Sequence, residues 1–225
     1  MSSLHHPIWQ QTMDWKNKPF TYHYSQPKEH RYSLDSIELC WKLGMALNQR
    51  KQKKPLRVLD ICAGCGVMGF EIAYWCKEVG EIDFVELQPE YKEHFEQNLI
   101  RALRESEKFN FHLMNYSQLL LRDDFQSKYD LILCNPPYFR LPSGIPGKSP
   151  FKNRCHYLID SEFAELCKAI IWCLAPGGEG YMLLRDLTAQ GVDQWGELKA
   201  HLGETATPEI IGVVRGTMVV GIKKN

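Results

Sequence analysis

The sequence predicts an α/β fold: a doubly wound, mostly parallel seven-stranded sheet closed by an antiparallel C-terminal strand. Three observations predict it. Short apolar runs alternate along the chain with segments of helical periodicity, the pattern of a parallel sheet covered by helices. A glycine turn, Gly64-Cys-Gly66-Val-Met-Gly69, stands directly between one such run and one such helix. The last two runs, Ile210 to Val214 and Met218 to Ile222, flank Arg215-Gly216 and read as an antiparallel end pair.

The elements follow in order. Residues 1–30 are rich in Trp, Tyr, His, Pro and Gln with little periodicity, and read as an irregular arm. Ile37, Cys40/Trp41, Leu43/Gly44 and Leu47 recur at helical spacing, and Asp35 with Glu38 three residues on reads as a capping box. Pro55 closes that helix. Leu56 to Ile61 is a strand, followed by the glycine turn and a helix over about 70–79. Ile82 to Val85 is a second strand, ending in Glu86, and Pro89 opens a helix with an apolar stripe of Tyr91, Phe95, Leu99 and Leu103. Phe109 to Met114 and Leu131 to Cys134 are the third and fourth strands. Residues 139–157 carry Pro142, Gly144, Pro146, Gly147 and Pro150 and read as a long loop. A helix over Phe163 to Leu174, a strand over Tyr181 to Leu184 and a short helix near 191–202 lead to the end pair. Residues 1–54 are expected to be an arm and helix of the same domain that occupies 55–225.

Composition bounds the class. With 225 residues, 44% hydrophobic and 24% charged, the chain is an ordinary globular domain. It has no apolar run of the ~18–20 residues that a membrane span needs. Its first residues lack the charged and apolar regions of a secretory signal, so a cytoplasmic protein without membrane contact is expected. The eight cysteines are scattered, which suggests reduced thiols rather than a disulfide framework. Cys62-Ala-Gly-Cys65 has C-x-x-C spacing, but no second pair follows at zinc spacing, so no metal is expected. Net charge is zero, yet residues 1–57 hold ten Lys/Arg against four Asp/Glu. That excess fits either a nucleic-acid face or a solvated helix end at 50–54.

In a doubly wound sheet, ligands bind beyond the carboxyl ends of the strands. The residues there carry the chemistry. Gly64-x-Gly66-x-x-Gly69 permits close backbone approach to a ligand. Asp60, four residues before the first glycine, can hold a cationic or amine-bearing group. Glu86, ending the second strand, can accept from two ribose hydroxyls. A methionine-plus-adenosine ligand fits this set. Asn135-Pro-Pro-Tyr138 stops the fourth strand, because proline has no N–H to continue a ladder. It leaves an amide, a rigid carbonyl and an aromatic ring at one strand end, suited to gripping a planar group that bears an NH2.

Together, Asp60-x-x-x-Gly64-x-Gly66, Glu86 and Asn135-Pro-Pro-Tyr138 resemble the class I S-adenosylmethionine-dependent methyltransferases, whose fold is Rossmann-like. The Asn-Pro-Pro-Tyr form is similar to enzymes that methylate adenine N6 or protein glutamine N5. Tyr32-Ser-Leu-Asp35 before the first strand, and Asn135-Pro-Pro-Tyr-Phe139 continuing towards Arg154-Cys-His156, resemble most closely the bacterial tRNA1(Val) (adenine-37-N6)-methyltransferases. The resemblance covers about residues 31–186. Asn115, where an acid is common in this superfamily, and Cys62 and Cys65 in the turn depart from the pattern.

The resemblance implies S-adenosylmethionine as cofactor, held by Asp60, Ala63, Gly64, Gly66, Glu86, Leu87, Asn115 and Asn135. It implies catalysis by Asn135, Pro136 and Tyr138. Substrate contacts are expected from Arg31, Tyr32, Tyr138, Phe139, Arg154 and His156; a plain surface-loop role fits the last two as well. Trp9, Trp15, Phe20, Tyr22 and Tyr24 either stack on RNA or pack the arm. The expected reaction is methylation of an adenine N6 amine, in a tRNA, by a monomer. Glutamine-N5 methylation or another rRNA or DNA amino-methylation, an NAD-dependent oxidoreductase on the same glycines, and a non-catalytic RNA-binding relative are the alternatives.

Overall fold

Strands β1 (Leu56–Ile61) and β4 (Tyr129–Cys134) pair in parallel at the centre of the molecule. Both are near-continuous apolar runs, as expected of strands covered on both faces. Val58, Leu59, Ile61 and Leu133 are fully buried. The computed structural model describes residues 3–11, 13–14, 21–50, 54–102, 108–140 and 146–225. Strands β2 (Val79–Glu86), β3 (Phe109–Leu113), β5 (Leu174–Leu184), β6 (Ala206–Val214) and β7 (Thr217–Lys224) complete one seven-stranded sheet. Its order is β3-β2-β1-β4-β5-β7-β6, with β7 antiparallel to both neighbours. The expected α/β architecture, including the hairpin about Arg215-Gly216, is the one observed.

Helices α1 (Leu34–Leu47), α2 (Val67–Trp75) and α3 (Glu90–Arg101) cover one face with Val58, Phe84 and Leu133. Helices α5 (Phe163–Cys173) and α6 (Gln194–Leu202) cover the other with Leu59, Ile132 and Met182. A further short helix, α4 (Pro150–His156), lies between β4 and α5. It corrects the expected 139–157 loop. Pro150 takes the first helical position and the Ser149 hydroxyl accepts from Lys152 N (3.3 Å), so the segment starts as a helix despite its prolines. Another correction concerns α1. Its N-cap is Ser33, whose hydroxyl accepts from Asp35 N (3.2 Å). The Asp35 carboxylate instead accepts from the buried Thr217 hydroxyl (2.6 Å), tying α1 to the β6–β7 hairpin.

The glycine turn is built for packing as much as for a ligand. Gly66 caps α2 at φ 86°, and a Cβ there would lie 2.5 Å from Phe70 and 2.9 Å from Phe95. At Gly69 a Cβ would lie 2.2 Å from the Phe84 ring, so only glycine lets α2 sit this close to β2.

The arm packs inward where it is described. Trp9 is buried and stacks on Tyr181, with centroids 6.0 Å apart. The Tyr24 and Thr21 hydroxyls each donate to the buried Glu71 carboxylate (2.8 Å), and Tyr22 packs between Tyr24 and Tyr74. Trp9 and Tyr24 are therefore core residues rather than stacking platforms for RNA; Trp15 and Phe20 lie outside the described residues. Much of the basic excess is also answered locally. Lys42, 2% exposed, pairs with Glu38 and donates to Trp9 O. Arg50 pairs with Glu179, and Lys54 and Arg57 with Asp130. These last pairs sit at the amino ends of β1, β4 and β5, the sheet edge away from the glycine turn. Among the described residues no helix is long and apolar enough to cross a membrane.

Candidate functional site

The carboxyl ends of β1, β2, β3, β4 and β5 open into one cavity of about 410 Å³, a size suited to a small molecule. Asp60, Ala63, Gly64, Glu86, Leu87, Asn115, Asn135, Pro136, Tyr138, Phe139, Arg31, Tyr32, Arg154 and His156 all line it. Of the expected set, Gly66 alone does not; it serves the packing described above.

Two buried carboxylates form the floor. Asp60 is 1% exposed at the end of β1. Its Oδ2 accepts from Gly69 N (2.9 Å), while Oδ1 has no partner. Burial pushes its pKa up to about 8, Gly69 N–H pulls the other way, and neighbouring Glu86 adds to the rise. Glu86 is also buried. Its Oε2 accepts from Gly64 N and its Oε1 from Gln88 N, both at 2.8 Å. Burial raises its pKa against those N–H bonds. Glu86 is thus anchored by the backbone of two turns while it lines the cavity. Each oxygen already holds one backbone N–H, and one lone pair on each remains. Ala63 N donates to Val85 O (3.1 Å), which pins the turn to β2. Leu87, more than a third exposed, contributes an apolar edge.

The wall beyond β4 is rigid. Asn135 Nδ2 donates to Ser36 Oγ (3.0 Å), and the Tyr138 hydroxyl donates to Asn135 Oδ1 (2.5 Å). Gln194 Nε2 donates to the Tyr138 carbonyl (2.7 Å), anchoring the motif to α6. The Arg185 guanidinium lies 5.1 Å from the centre of the Tyr138 ring and covers one face. Burial raises the Tyr138 pKa, so its hydroxyl stays protonated and donating.

The mouth is made by α4 and the segment before α1. Phe139 N donates to His156 O (2.9 Å) and Leu158 N to Phe139 O (2.8 Å), which seats the end of α4 over the motif. His156 meets His30 edge to face at 5.0 Å. Burial, then the charges of His156 and Lys152, lower His30 to about 4; burial, Lys152 and Arg185 lower His156. Arg154 Nε is paired with Asp160 (2.9 Å). Asn115 is likewise engaged: its Oδ1 accepts from Ser117 N (2.9 Å) and its Nδ2 donates to Asp160 O (3.1 Å). It caps a 3-10 turn over Tyr116–Leu121.

A strand order of β3-β2-β1-β4-β5-β7-β6 with only β7 reversed, and a ligand cavity at the carboxyl edge, has clear counterparts. The structure of SMU.776, a putative methyltransferase complexed with SAH, superposes with a TM-score of 0.59 at 12% identity, covering 85% of this chain and 50% of that one. A predicted O-methyltransferase from Agrobacterium tumefaciens does so at 0.56 and 14%, covering 85% and 81%. The chain has the S-adenosylmethionine-dependent methyltransferase fold. TrmN from Thermus thermophilus shares it, with a TM-score of 0.53 at 20% identity over 82% of this chain and 49% of that one. Residues 46–142 match the family model described as conserved hypothetical protein 95. The tRNA1(Val) (adenine(37)-N6)-methyltransferase of Cytophaga hutchinsonii is 29% identical over 132 residues, covering 56% of this chain and 50% of that protein. The enzyme of the same name from Shigella sonnei is 26% identical over 135 residues, covering 60% and 53%. The chain thus spans about half the length of the curated relatives it matches.

Within this methyltransferase fold, sequence reasoning passed over Ser36, His30, Asp160 and Arg185, all of which line the cavity. Arg185 was detectable: it follows β5 directly, as Asn135 follows β4. Ser36 lies within the Tyr32-Ser-Leu-Asp35 neighbourhood that the resemblance singled out. The other two depend on chain segments meeting in space.

Proposed function

We propose that this chain is an S-adenosylmethionine-dependent methyltransferase acting on the N6 amine of an adenine in RNA, and that the RNA is a tRNA. The observation that carries the reading is one cavity joining two buried carboxylates, Asp60 and Glu86, to the tethered Asn135-Pro136-Pro137-Tyr138 wall. The named activity of the tRNA1(Val) relatives supports the choice of adenine and of tRNA.

The residues present fit the cofactor. Asp60 Oδ1, buried and unpartnered, suits a cationic or ammonium-bearing tail. The remaining Glu86 lone pairs suit ribose hydroxyls. When bound, S-adenosylmethionine supplies an electrophilic methyl group on a sulfonium. The chain's own part is to make a poor nucleophile competent. An adenine amine has its lone pair delocalised into the ring. Asn135 Oδ1 and the Pro136 carbonyl each accept one N–H and favour a pyramidal nitrogen. The Ser36 and Tyr138 bonds hold the Asn135 amide in one orientation, so that acceptor is in place before the substrate arrives. The Tyr138 face not covered by Arg185 stacks the base. A base inside a helix cannot reach this wall, so it enters flipped or from a loop. The methylated amine is acidic enough to lose its proton to solvent without a strong protein base.

Asn135→Ala is expected to abolish transfer while cofactor affinity, measured by calorimetry, stays near the parent's. Nucleoside mass spectrometry of RNA treated with the protein and labelled cofactor tests the product. Label appearing in protein glutamine rather than in N6-methyladenosine would refute the RNA reading.

A further inference from the structure

The arginines of this chain are mostly spoken for. Arg154 is paired with Asp160, Arg140 with Glu197, Arg122 with Asp124 and Arg50 with Glu179. Arg185 is different. It lines the cavity and is exposed, and among the described residues no carboxylate lies within ion-pairing distance of its guanidinium. Its one close neighbour is the Tyr138 ring, at 5.1 Å. Asp186, the next residue, turns to Thr188 instead, accepting from its hydroxyl at 2.6 Å.

The His30–His156 pair sits at the same mouth. Both imidazoles are held towards the neutral form by burial and by nearby cations, Lys152 for both and Arg185 for His156. Arg31 also lines the mouth, exposed. Burial is the larger cause for both, and the cations that add to it make the rim positive, which suits an anion.

We propose that Arg185 is a specificity-determining residue that grips a backbone phosphate flanking the acceptor adenosine. This rests on the reading of the chain as an adenine-N6 methyltransferase. A planar guanidinium matches two phosphate oxygens with two parallel N–H bonds, a geometry an ammonium does not reproduce. The Arg185 guanidinium lies against one side of the Tyr138 ring and hydrogen-bonds the Tyr138 hydroxyl, and its exposure leaves further N–H groups for the phosphate. The base then stacks on the opposite side of that ring. One side chain thereby links the phosphate to the base pocket, and a glutamine in a peptide offers no anion to it. Arg154, by contrast, is ion-paired with Asp160 (2.9 Å).

The test compares the parent with Arg185→Ala and Arg185→Lys on two probes, a tRNA transcript and free adenosine, using labelled S-adenosylmethionine. For Arg185→Ala, KM for the transcript rises by roughly tenfold or more and the salt slope of binding falls by about one. The Lys variant restores the salt slope but only part of the KM. Turnover on adenosine, which has no phosphate, falls less in each variant than turnover on the transcript, and the difference between the two losses isolates the phosphate contact. An unchanged KM and salt slope for Arg185→Ala on the transcript overturns the proposal. So does an equal loss on transcript and adenosine, which would show Arg185 acting only as packing for Tyr138. A parent that labels no RNA at all overturns the adenine-methylation reading itself, a result separate from either of these.

Discussion

Asp60 is the sharpest point at which the structure can be put at risk. Its carboxyl is buried, one oxygen is unpartnered, and its pKa stands at about 8 against an ordinary 3.8. The perturbation is Asp60→Asn, which keeps an oxygen to accept from Gly69 N but cannot ionise. The sign follows from proton linkage. Between pH 3.8 and about 8 the folded protein keeps a proton that the unfolded chain has released, so parent stability falls as pH rises through that window. The window spans about four units, and each is worth about 1.4 kcal/mol, so by pH 9 the parent has lost about 6 kcal/mol through this group alone. Glu71 is raised as well and slopes the same way, but it is common to both proteins and cancels in the difference. Urea denaturation of parent and variant at pH 5, 6, 7, 8 and 9 gives that difference directly. The variant gains on the parent at each step up to about pH 8, then runs level. Parallel stability curves would falsify the buried, proton-holding Asp60 and with it the argument that this carboxyl waits for a cation.

Two other outcomes follow from the packing. Gly69→Ala, whose Cβ would lie 2.2 Å from the Phe84 ring, is expected to cost about 1–3 kcal/mol, read from a lowered denaturation midpoint at unchanged slope; a neutral result would mean α2 can shift off β2 freely. Glu71→Ala strands the buried Tyr24 hydroxyl and two half-buried donors (the Thr21 hydroxyl and the Trp75 indole N–H) and is expected to cost about 3 kcal/mol. Limited proteolysis should then cut within the arm well before the sheet, and an arm as resistant as the parent's would contradict its anchoring through Glu71.

The parallel core was legible because each of its strands is a short apolar run ended by a residue that cannot extend a ladder. Leu131 to Cys134 stops at two prolines, and Leu56 to Ile61 stops at the left-handed Cys62 and the glycine turn. Helix α4 was not legible, because none of Pro150 to His156 is buried and no apolar stripe marks it; only Ser149-Pro150 signals its start. The choice of Ser33 over Asp35 as cap was invisible for another reason. Both residue types cap well, and what decides is a Thr217 hydroxyl 182 residues away. The arm illustrates the same limit. Trp9 and Tyr24 have the composition of a stacking surface, and only contact with Tyr181 and Glu71 makes them core.

The site divides along a similar line, and the division bears on function. The cofactor half is written into contiguous chain: Asp60 to Gly69 and Glu86 to Gln88 supply the carboxylates and also the N–H groups that hold them. Such a unit can be recognised wherever it occurs, because its geometry is local. The substrate half is assembled from four separate stretches, with Ser36 fixing Asn135, Gln194 fixing Tyr138, and His30 meeting His156. Its mouth residues are half-buried or exposed, so replacing one changes what can dock without disturbing the floor beneath. A fold built this way can keep one methyl donor while its acceptor changes. The acceptor is therefore best argued from the rim, and there an arginine with no carboxylate partner among the described residues, laid against the Tyr138 ring, favours a substrate that carries its own negative charge.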